Sequence, residues 1–391
     1  MQHLRIVAIN ACAVVFLLAS VEIATRAISW ARGNGFFLAL HELDPSDNAV
    51  ASIYRWHPST GFTLRPNSNI EGGHPNQVRK SFLTVNEYGF LADTQHYSYL
   101  KETNEIRIAT IGGSTTAMLS LNYEDNWPGM IANTLRATLG RRISLINAGT
   151  PGFDTSQSIP NLALRVLPFA PDIVIIYHAY NDLKATRPAN GFAPDYSHIH
   201  MHPHGAHARP PAWQRLANMS MFYVRARNRN RGAEAQMAKI QANGSRSDIV
   251  PVLAIETFRS NLRSMVAMAQ ASGARVVLVT FATLYGTPER WLSGERPMSD
   301  LQRAESAAVL QFVPGLTFRG VMSGLRQFNA AIRDIARERQ TLLVDMAKLL
   351  PEKEDLFIDR VHFSAQGAKQ FATLLAPVVL EAVSEAQHAK N

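Results

Sequence analysis

The sequence predicts a doubly wound, parallel α/β sheet of about five strands with flanking helices, preceded by an N-terminal transmembrane helix. After Lys101, short runs rich in Ile and Val alternate five times with amphipathic stretches, the pattern of strands joined by helices. Three of these runs are nearly continuous in apolar residues, as expected for parallel strands that are covered on both faces. An apolar segment near the N-terminus approaches the length needed to cross a bilayer.

Composition and charge narrow the class of protein. The chain has 391 residues, of which 46% are hydrophobic and 18% charged, so it can build a large core and is not disordered throughout. A single cysteine, Cys12, excludes an intramolecular disulfide framework and a cysteine-rich metal site. The net charge of +8 favours anionic surfaces, but no basic run interleaves with aromatic residues, so nucleic acid is not indicated as a partner.

The N-terminal segment Ile6–Val21 is apolar apart from two polar residues. It is somewhat shorter than the roughly 20 residues that span a bilayer core. Continuation through Ile28 reaches spanning length. Glu22 and Arg26 can then extend their polar ends toward the interface, where Trp30 would also lie.

We therefore predict an uncleaved membrane anchor over residues 1–30, with the rest of the chain on the extracytoplasmic, periplasmic side. A cleaved signal peptide with a secreted product is the first alternative, because Arg5 precedes an apolar stretch. The one Ala-x-Ala sequence lies inside that stretch, which weakens this alternative, and a buried core helix is a further one. Arginines on both sides of the segment leave its orientation open.

The remaining chain divides into an extension and a main domain. Residues 31–100 are turn-rich, and we expect a membrane-proximal extension of short strands and loops. Residues 101–391 form the α/β domain. Its predicted strands are Ile106–Ile111, Ile143–Ile146, Ile173–Tyr177, Arg275–Phe281 and Leu342–Val344, and two of its predicted helices are Glu256–Ala271 and Leu325–Arg339.

An insertion at about 184–250 interrupts the alternation of strands and helices. It holds a histidine cluster (His198, His200, His202, His204 and His207), followed by an arginine-rich stretch over 209–231. Imidazoles suit zinc, nickel or copper, but no acidic or cysteine ligand is nearby, so a solvated loop is the preferred interpretation. The arginines indicate a solvated helix face, with contact to anionic lipid head groups as the alternative.

Candidate reactive residues follow the strands, where ligands bind in open α/β sheets. Ser114 follows Gly112 and Gly113 at the start of a helix, where its hydroxyl is exposed and its N–H can face an oxyanion. A helix N-cap or a phosphate-binding loop would look the same. Gly152, after the second strand, can offer its N–H to a ligand, although by itself an ordinary turn is the better explanation.

Two further groups lie after later strands. Asn181 can donate its carboxamide to an oxyanion, or cap the next helix together with Asp182. Asp359 stands three residues before His362, a spacing that lets a carboxylate fold back onto an imidazole and fix its tautomer. His178 is expected to be structural.

Taken together, a serine, a glycine amide, an asparagine and an Asp-x-x-His pair in this order resemble the SGNH hydrolase superfamily, the GDSL esterases and lipases. The resemblance covers about 101–391 without the insertion, and His57–Phe90 looks like the segment that precedes the catalytic domain in bacterial, membrane-anchored members. It implies a flavodoxin-like sheet. It also implies the roles of the residues: Ser114 as nucleophile, Asp359 and His362 as its partners, and Ser114, Gly152 and Asn181 as the oxyanion hole.

Two positions depart from the family pattern. The aspartate that usually precedes the serine is Gly113 here, which should leave the geometry of the nucleophile intact. The glycine usually found two places before the asparagine is Ala179, and Tyr180 stands beside Asn181. A bulky Tyr180 would narrow the acyl pocket, so it bears on substrate size.

The resemblance implies acyl transfer through an ester on Ser114, with no metal or organic cofactor. The expected partner is an ester-bearing envelope glycan or lipid, because the anchor places the enzyme at a membrane. Two alternatives stay open: an O-acyltransferase that acts on a polysaccharide with the same residues, and a catalytically silent, membrane-tethered glycan-binding protein. Oligomeric state is not predicted.

Overall fold

The computed structural model describes residues 2–31, 53–74, 77, 79–92, 98–186, 192–200, 217, 219–226, 246–294, 297–313 and 315–388. Backbone contacts divide the chain into two units. One comprises Met1–Trp56 with His202–Gln241, and the other comprises His57–Met201 with Ala242–Asn391. The side chains of the histidine cluster and most of the arginine-rich stretch lie outside the described residues, so both interpretations of the insertion remain predictions.

The first unit contains helix α1 (Gln2–Ala31). Within it, Arg5–Ala31 has a mean hydropathy of 2.4 and presents its apolar side chains outward. It is the one helix among the described residues that is long and apolar enough to cross a membrane. The helix accordingly agrees with the predicted N-terminal span in position and length.

The C-terminal third of α1 makes polar contacts within the same unit. Glu22 pairs with Arg26 at 2.7 Å and accepts hydrogen bonds from the Ser220 hydroxyl and the Met221 N–H, both at 2.8 Å. Arg26 donates to the Met219 carbonyl at 2.8 Å. These contacts give Glu22 and Arg26 partners from the protein rather than from lipid.

The second unit is built on an eight-stranded sheet. In chain order the described strands are β1 (Tyr54–His57), at the boundary of the units, then β2 (Gly61–Leu64), β3 (Ser68–Gly72), β4 (Ser81–Val85), β5 (Leu91–Ala92), β6 (Ile106–Gly112), β7 (Ile143–Asn147), β8 (Ile173–Tyr177), β9 (Arg275–Val279) and β10 (Leu342–Val344). Strands β3 to β10 form the eight-stranded sheet in the order β10-β9-β8-β6-β7-β5-β4-β3, and β1 and β2 lie outside it. Strands β6 to β10 are parallel and have the flavodoxin-like order, which confirms the predicted doubly wound sheet.

Three antiparallel strands extend this sheet beyond the five that the sequence predicts. Strand β5 pairs with β7 through Leu91 and Asn147, and β3 and β4 continue outward from it. All three come from the predicted extension 31–100. This part of the chain is therefore continuous with the main sheet from β3 onward, and not only a series of short strands and loops beside it.

Helices cover the sheet on both faces. They are α2 (Ser114–Ala117), α3 (Trp127–Leu139), α4 (Thr155–Asn161), α5 (Tyr180–Ala185), α6 (Ser197–His200), α7 (Val252–Ala271), α8 (Pro288–Leu292), α9 (Asp300–Phe312), α10 (Phe318–Glu338), α11 (Met346–Leu349) and α12 (Ala365–His388).

Two of these helices begin earlier than the sequence predicts. Helix α7 starts at Val252 rather than Glu256. The amphipathic pattern does not reveal this first turn, because two of its apolar residues, Val252 and Leu253, are exposed. Helix α10 starts at Phe318 rather than Leu325. Gly320 stands in its first turn because a side chain there would meet the Ser247 carbonyl oxygen, and glycine weakens the helical signal.

The core lies on both faces of β6 and β8, whose residues are all buried. The ring centroids of Trp127 of α3 and Phe371 of α12 are 5.0 Å apart, and those of Phe371 and Tyr177 of β8 are 5.1 Å apart. His178, directly after β8, is also buried and lies 2.8 Å from the Ser158 hydroxyl. Burial lowers the pKa of His178 to about 4, so it is a neutral, structural histidine, as expected.

A buried ion pair fastens the amino-terminal end of the sheet. Arg107 of β6 is 0% exposed and pairs with Glu105 at 2.7 Å. Its guanidinium also donates to the carbonyls of Ser98, Tyr99, Leu100 and Phe169. All the donors of the Arg107 guanidinium are therefore used. Its hydrogen bonds connect the segment before β6 to the segment before β8.

We expect Arg107→Ala to lower the free energy of unfolding by about 3–5 kcal/mol, because it leaves the Glu105 carboxylate buried and unpaired. Chemical unfolding of the full-length protein in detergent measures this. Arg142→Ala is the matched control, since its pair with Glu102 is exposed and should be worth less than about 1 kcal/mol. Equal losses in the two variants would contradict the argument.

Candidate active site

Ser114 lies at the tight turn that leaves β6. A side chain at Gly112 would lie 2.0 Å from the Thr116 hydroxyl and 2.7 Å from the Tyr177 carbonyl oxygen, so glycine is required where β6 meets β8. Gly113 precedes α2, and Ser114 is the first residue of that helix. The turn leaves Ser114 half-buried, with its side chain at the carboxyl edge of the sheet.

Gly152 lies in the loop after β7 with φ at +86°, a conformation that favours glycine. The loop is held from both ends. The Asn147 carboxamide, at the end of β7, accepts from the Gly149 N–H and donates to the Thr116 carbonyl. Asp154 caps α4 by accepting from two of its N–H groups.

Asn181 lies beside the serine turn. Its Nδ2 donates to the Phe153 carbonyl at 2.7 Å, which ties it to the loop that carries Gly152. The same nitrogen would lie 2.6 Å from a side-chain carbon at Gly113. One carboxamide N–H is thus used by Phe153, and the group has a second N–H to offer a ligand next to Ser114.

Asp359 and His362 reach Ser114 from the turn before α12. The distance from His362 Nε2 to Ser114 Oγ is 2.8 Å, and that from His362 Nδ1 to Asp359 Oδ2 is 2.6 Å. Asp359 Oδ1 accepts the N–H groups of Val361 and His362 at 2.8 and 2.7 Å, so the carboxylate folds back onto its own turn. The structure therefore brings together the serine, the imidazole and the carboxylate that the sequence singled out.

The Asp359 carboxyl group is held in its charged form. Its burial alone would raise its pKa, but the hydrogen bonds and the charge of His362 outweigh burial and lower the pKa well below its usual value. A carboxylate that stays ionised stabilises a positive charge on His362, which forms when the imidazole accepts a proton.

A second histidine, His74, also contacts Asp359, and no motif in the sequence points to it. It follows β3, and its Nε2 lies 3.1 Å from Asp359 Oδ2. The two residues are 285 positions apart, so no local spacing could have linked them.

Among the described residues, one histidine and carboxylate group has the spacing of a metal site. Donor atoms of His74, Asp359 and His362 all lie within 4.8 Å of one another. The hydrogen bonds from both imidazoles to the same Asp359 oxygen already account for this spacing, so the cluster gives no independent indication of a metal.

The cleft beside Ser114 is small. Its volume is about 10 Å³, close to that of one water molecule, and its lining includes Asn181, Tyr180 and Phe281. Tyr180 stacks between Phe281 and Phe312, with ring centroids 6.1 and 5.1 Å apart. Its hydroxyl accepts from Arg360 at 3.1 Å. Tyr180 is therefore a fixed wall of the cleft.

Chemically, the arrangement can activate a hydroxyl. His362 Nε2 is within reach of the Ser114 proton, Asp359 orients the opposite ring nitrogen, and Asn181 offers a neutral donor beside the oxygen. Serine attack on a carbonyl carbon needs these three functions.

Comparison with solved structures finds similar folds at low identity. A lipase/acylhydrolase from Enterococcus faecalis is 17% identical, with 70% of this chain and 94% of that chain covered and a TM-score of 0.39. An acetylxylan esterase from Geobacillus stearothermophilus is 14% identical, with 71% and 94% covered and a TM-score of 0.38. A putative lipolytic protein of the G-D-S-L family from Desulfitobacterium hafniense is 16% identical, with 70% and 98% covered and a TM-score of 0.38. We found no curated protein whose sequence matches the chain.

A family comparison covers most of the α/β domain. The model of the GDSL-like lipase/acylhydrolase family matches residues 110–370, which is more than half of the chain and includes every residue singled out for catalysis. The resemblance stated from the sequence is thereby confirmed. The chain belongs to the GDSL-like lipase/acylhydrolase family and is a serine hydrolase that acts on ester bonds.

Proposed function

We propose that the protein hydrolyses a small O-acyl ester through a covalent acyl-Ser114 intermediate. The observation that carries the proposal is the unbroken series of hydrogen bonds from Ser114 through His362 to Asp359, at 2.8 and 2.6 Å. His362 accepts the serine proton as Oγ attacks the ester carbonyl carbon. The imidazolium then protonates the departing alcohol, and the acyl group stays on Ser114.

Deacylation repeats the same steps with water. His362 accepts a proton from a water molecule as that water attacks the acyl carbonyl, and returns it to Ser114 Oγ when the carboxylic acid leaves. The N–H groups of Ser114 and Gly152 and the Asn181 carboxamide would bind the oxyanion of both tetrahedral intermediates. All of these steps use groups of the chain itself, so the mechanism requires no metal or organic cofactor.

The size of the cleft supports a small acyl group, such as acetyl. A cavity volume of about 10 Å³ beside Ser114 favours a short acyl group over a long one. Tyr180 cannot easily turn away, because its ring is stacked on two phenylalanines and its hydroxyl is held by Arg360. A longer acyl chain would have to displace this packed wall.

The proposed substrate is an acylated glycan or lipid of the cell envelope. Support comes from α1, whose Arg5–Ala31 segment is apolar enough to hold the enzyme at a membrane. The same Ser114 chemistry would serve an O-acyltransferase, in which a sugar hydroxyl replaces water. Membership of an enzyme family and the contacts of Ser114 with His362 argue against the silent glycan-binding protein.

We also propose that α1 remains as an uncleaved anchor. Glu22 binds the Ser220 hydroxyl and the Met221 N–H, Arg26 binds the Met219 carbonyl, and Ser29 accepts from Arg225 at 2.9 Å. A signal peptide removed after export would take these contacts with it. The charged end of α1 then belongs to the folded protein, and the preceding apolar residues to the membrane.

Ser114→Ala should abolish the hydrolysis of p-nitrophenyl acetate by the full-length protein in detergent, because it removes the hydroxyl that His362 activates. Asn181→Ala should retain Ser114 but lose about a hundredfold or more in kcat, since one oxyanion donor is typically worth roughly 3 kcal/mol. Mass spectrometry should locate a fluorophosphonate adduct on Ser114 of the wild type. Turnover that survives in Ser114→Ala, or a label elsewhere, would refute the assignment.

The acyl pocket predicts a preference for short chains. We expect kcat/KM for p-nitrophenyl acetate to exceed that for the octanoate by at least about tenfold, because a packed wall resists intrusion at a cost of roughly 1–3 kcal/mol. Tyr180→Leu, which shortens the wall, should reduce the ratio. Equal kcat/KM values of the wild type for the two esters would contradict this interpretation of the cleft.

The anchor predicts where the mature N-terminus lies. We expect mass spectrometry of the membrane fraction to recover peptides from the first 21 residues, and protease added to spheroplasts to digest the main domain. A soluble product that begins after the apolar stretch would instead establish a cleaved signal peptide. Protection from external protease would reverse the proposed orientation.

A further inference from the structure

The segment after β3 lies outside the part of the chain that the family model matches, 110–370, yet it reaches the site. His74 Nε2 is 3.1 Å from Asp359 Oδ2, and the side chains of His74 and Asp359 are 20% and 6% exposed. The rings of His74 and His362 have centroids 6.2 Å apart, so two imidazoles flank one carboxylate.

We propose that His74 is a positioning residue that holds the Asp359 carboxylate against His362. This inference rests on the proposed function, in which Asp359 orients His362. At the pH where Asp359 is ionised its oxygens only accept, so His74 contributes an Nε2–H. The segment 57–92 then takes part in catalysis through His74, besides extending the sheet.

The four hydrogen bonds to Asp359 divide evenly between its oxygens. Oδ1 accepts two backbone N–H groups, of Val361 and His362, from its own turn. Oδ2 accepts the two imidazoles. The backbone pair fixes one oxygen, and His74 restricts rotation of the other, so that Oδ2 stays in line with His362 Nδ1. A hydrogen bond to a charged acceptor is among the stronger ones in proteins.

The backbone just before His74 packs closely against the loop that follows α2. A side-chain carbon at Gly72, the last residue of β3, would lie 1.9 Å from the Leu119 carbonyl oxygen, in the loop that follows α2. The backbone that carries His74 therefore lies directly on the chain that carries Ser114. Gly73, the next residue, has nothing within 4 Å of the same position. These two glycines form a matched pair for a test.

Other charged and titratable groups near Asp359 also influence the pH profile. Arg360, Tyr180 and Tyr285 interact electrostatically with Asp359, and Glu305 pairs with Arg360 at 3.4 Å. None of them changes in the proposed variants. Loss of the His74 hydrogen bond leaves more negative charge on Asp359 to stabilise protonated His362. The acid limb of kcat/KM should therefore move to higher pH.

The test measures kcat, KM and the pH profile of full-length variants in detergent, together with thermal unfolding. We expect His74→Ala to lower kcat about tenfold with little change in KM and to move the acid limb upward. His74→Gln keeps an N–H donor at a similar reach and should restore most of the rate and the wild-type profile. Ser114 labelling by the fluorophosphonate should slow in parallel with kcat.

The two glycines test whether the position of the His74 backbone matters, with the His74 side chain itself unchanged. Gly72→Ala should reproduce the slower turnover of His74→Ala, whereas Gly73→Ala should behave as the wild type. A His74→Ala enzyme with wild-type kcat and acid limb would overturn the proposal, as would an equal loss in His74→Ala and His74→Gln. A wild type with neither turnover nor labelling on Ser114 would refute the proposed function itself, and this inference with it.

Discussion

The close approach of β6 and β8 at their carboxyl ends is the constraint on which the site depends. Gly112 pairs with Tyr177 in register, and a side chain at Gly112 would clash with the Tyr177 carbonyl. Because the two strands meet there without intervening side chains, the helices that begin at Ser114 and Tyr180 start side by side. Ser114 and Asn181 are thus brought together by the backbone of the sheet. The Asp359–His362 turn adds the third component from the end of the chain.

Much of this arrangement could be predicted because its signals are local. Strands β6 and β8 are buried on both faces, so their sequences are continuous apolar runs whose ends are easy to place. Reactive residues directly after such strands can be found by position alone. The Asp359–His362 pair is equally local, since one turn of backbone satisfies both the carboxylate and the imidazole.

The parts that could not be predicted depend on pairing between distant residues. Strand β5 has two residues, and β3 fully buries one of its five, so neither leaves a clear apolar pattern. Their place in the sheet is decided by hydrogen bonds to partners elsewhere in the chain. His74 is an extreme case, because its contact with Asp359 spans most of the sequence. The size of Tyr180 is evident from the sequence, but its fixed orientation depends on Phe312 of α9, a helix without a clear sequence signal.

The glycine before the serine leaves room for the Asn181 carboxamide. A side-chain carbon on Gly113 would lie 2.6 Å from Asn181 Nδ2. The obstacle is the end of a flexible side chain, so a substitution would be tolerated by folding while it displaced the amide. The geometry therefore couples positions 113 and 181 in this chain. A side chain at position 113 would affect the position of the Asn181 carboxamide more than the stability of the fold.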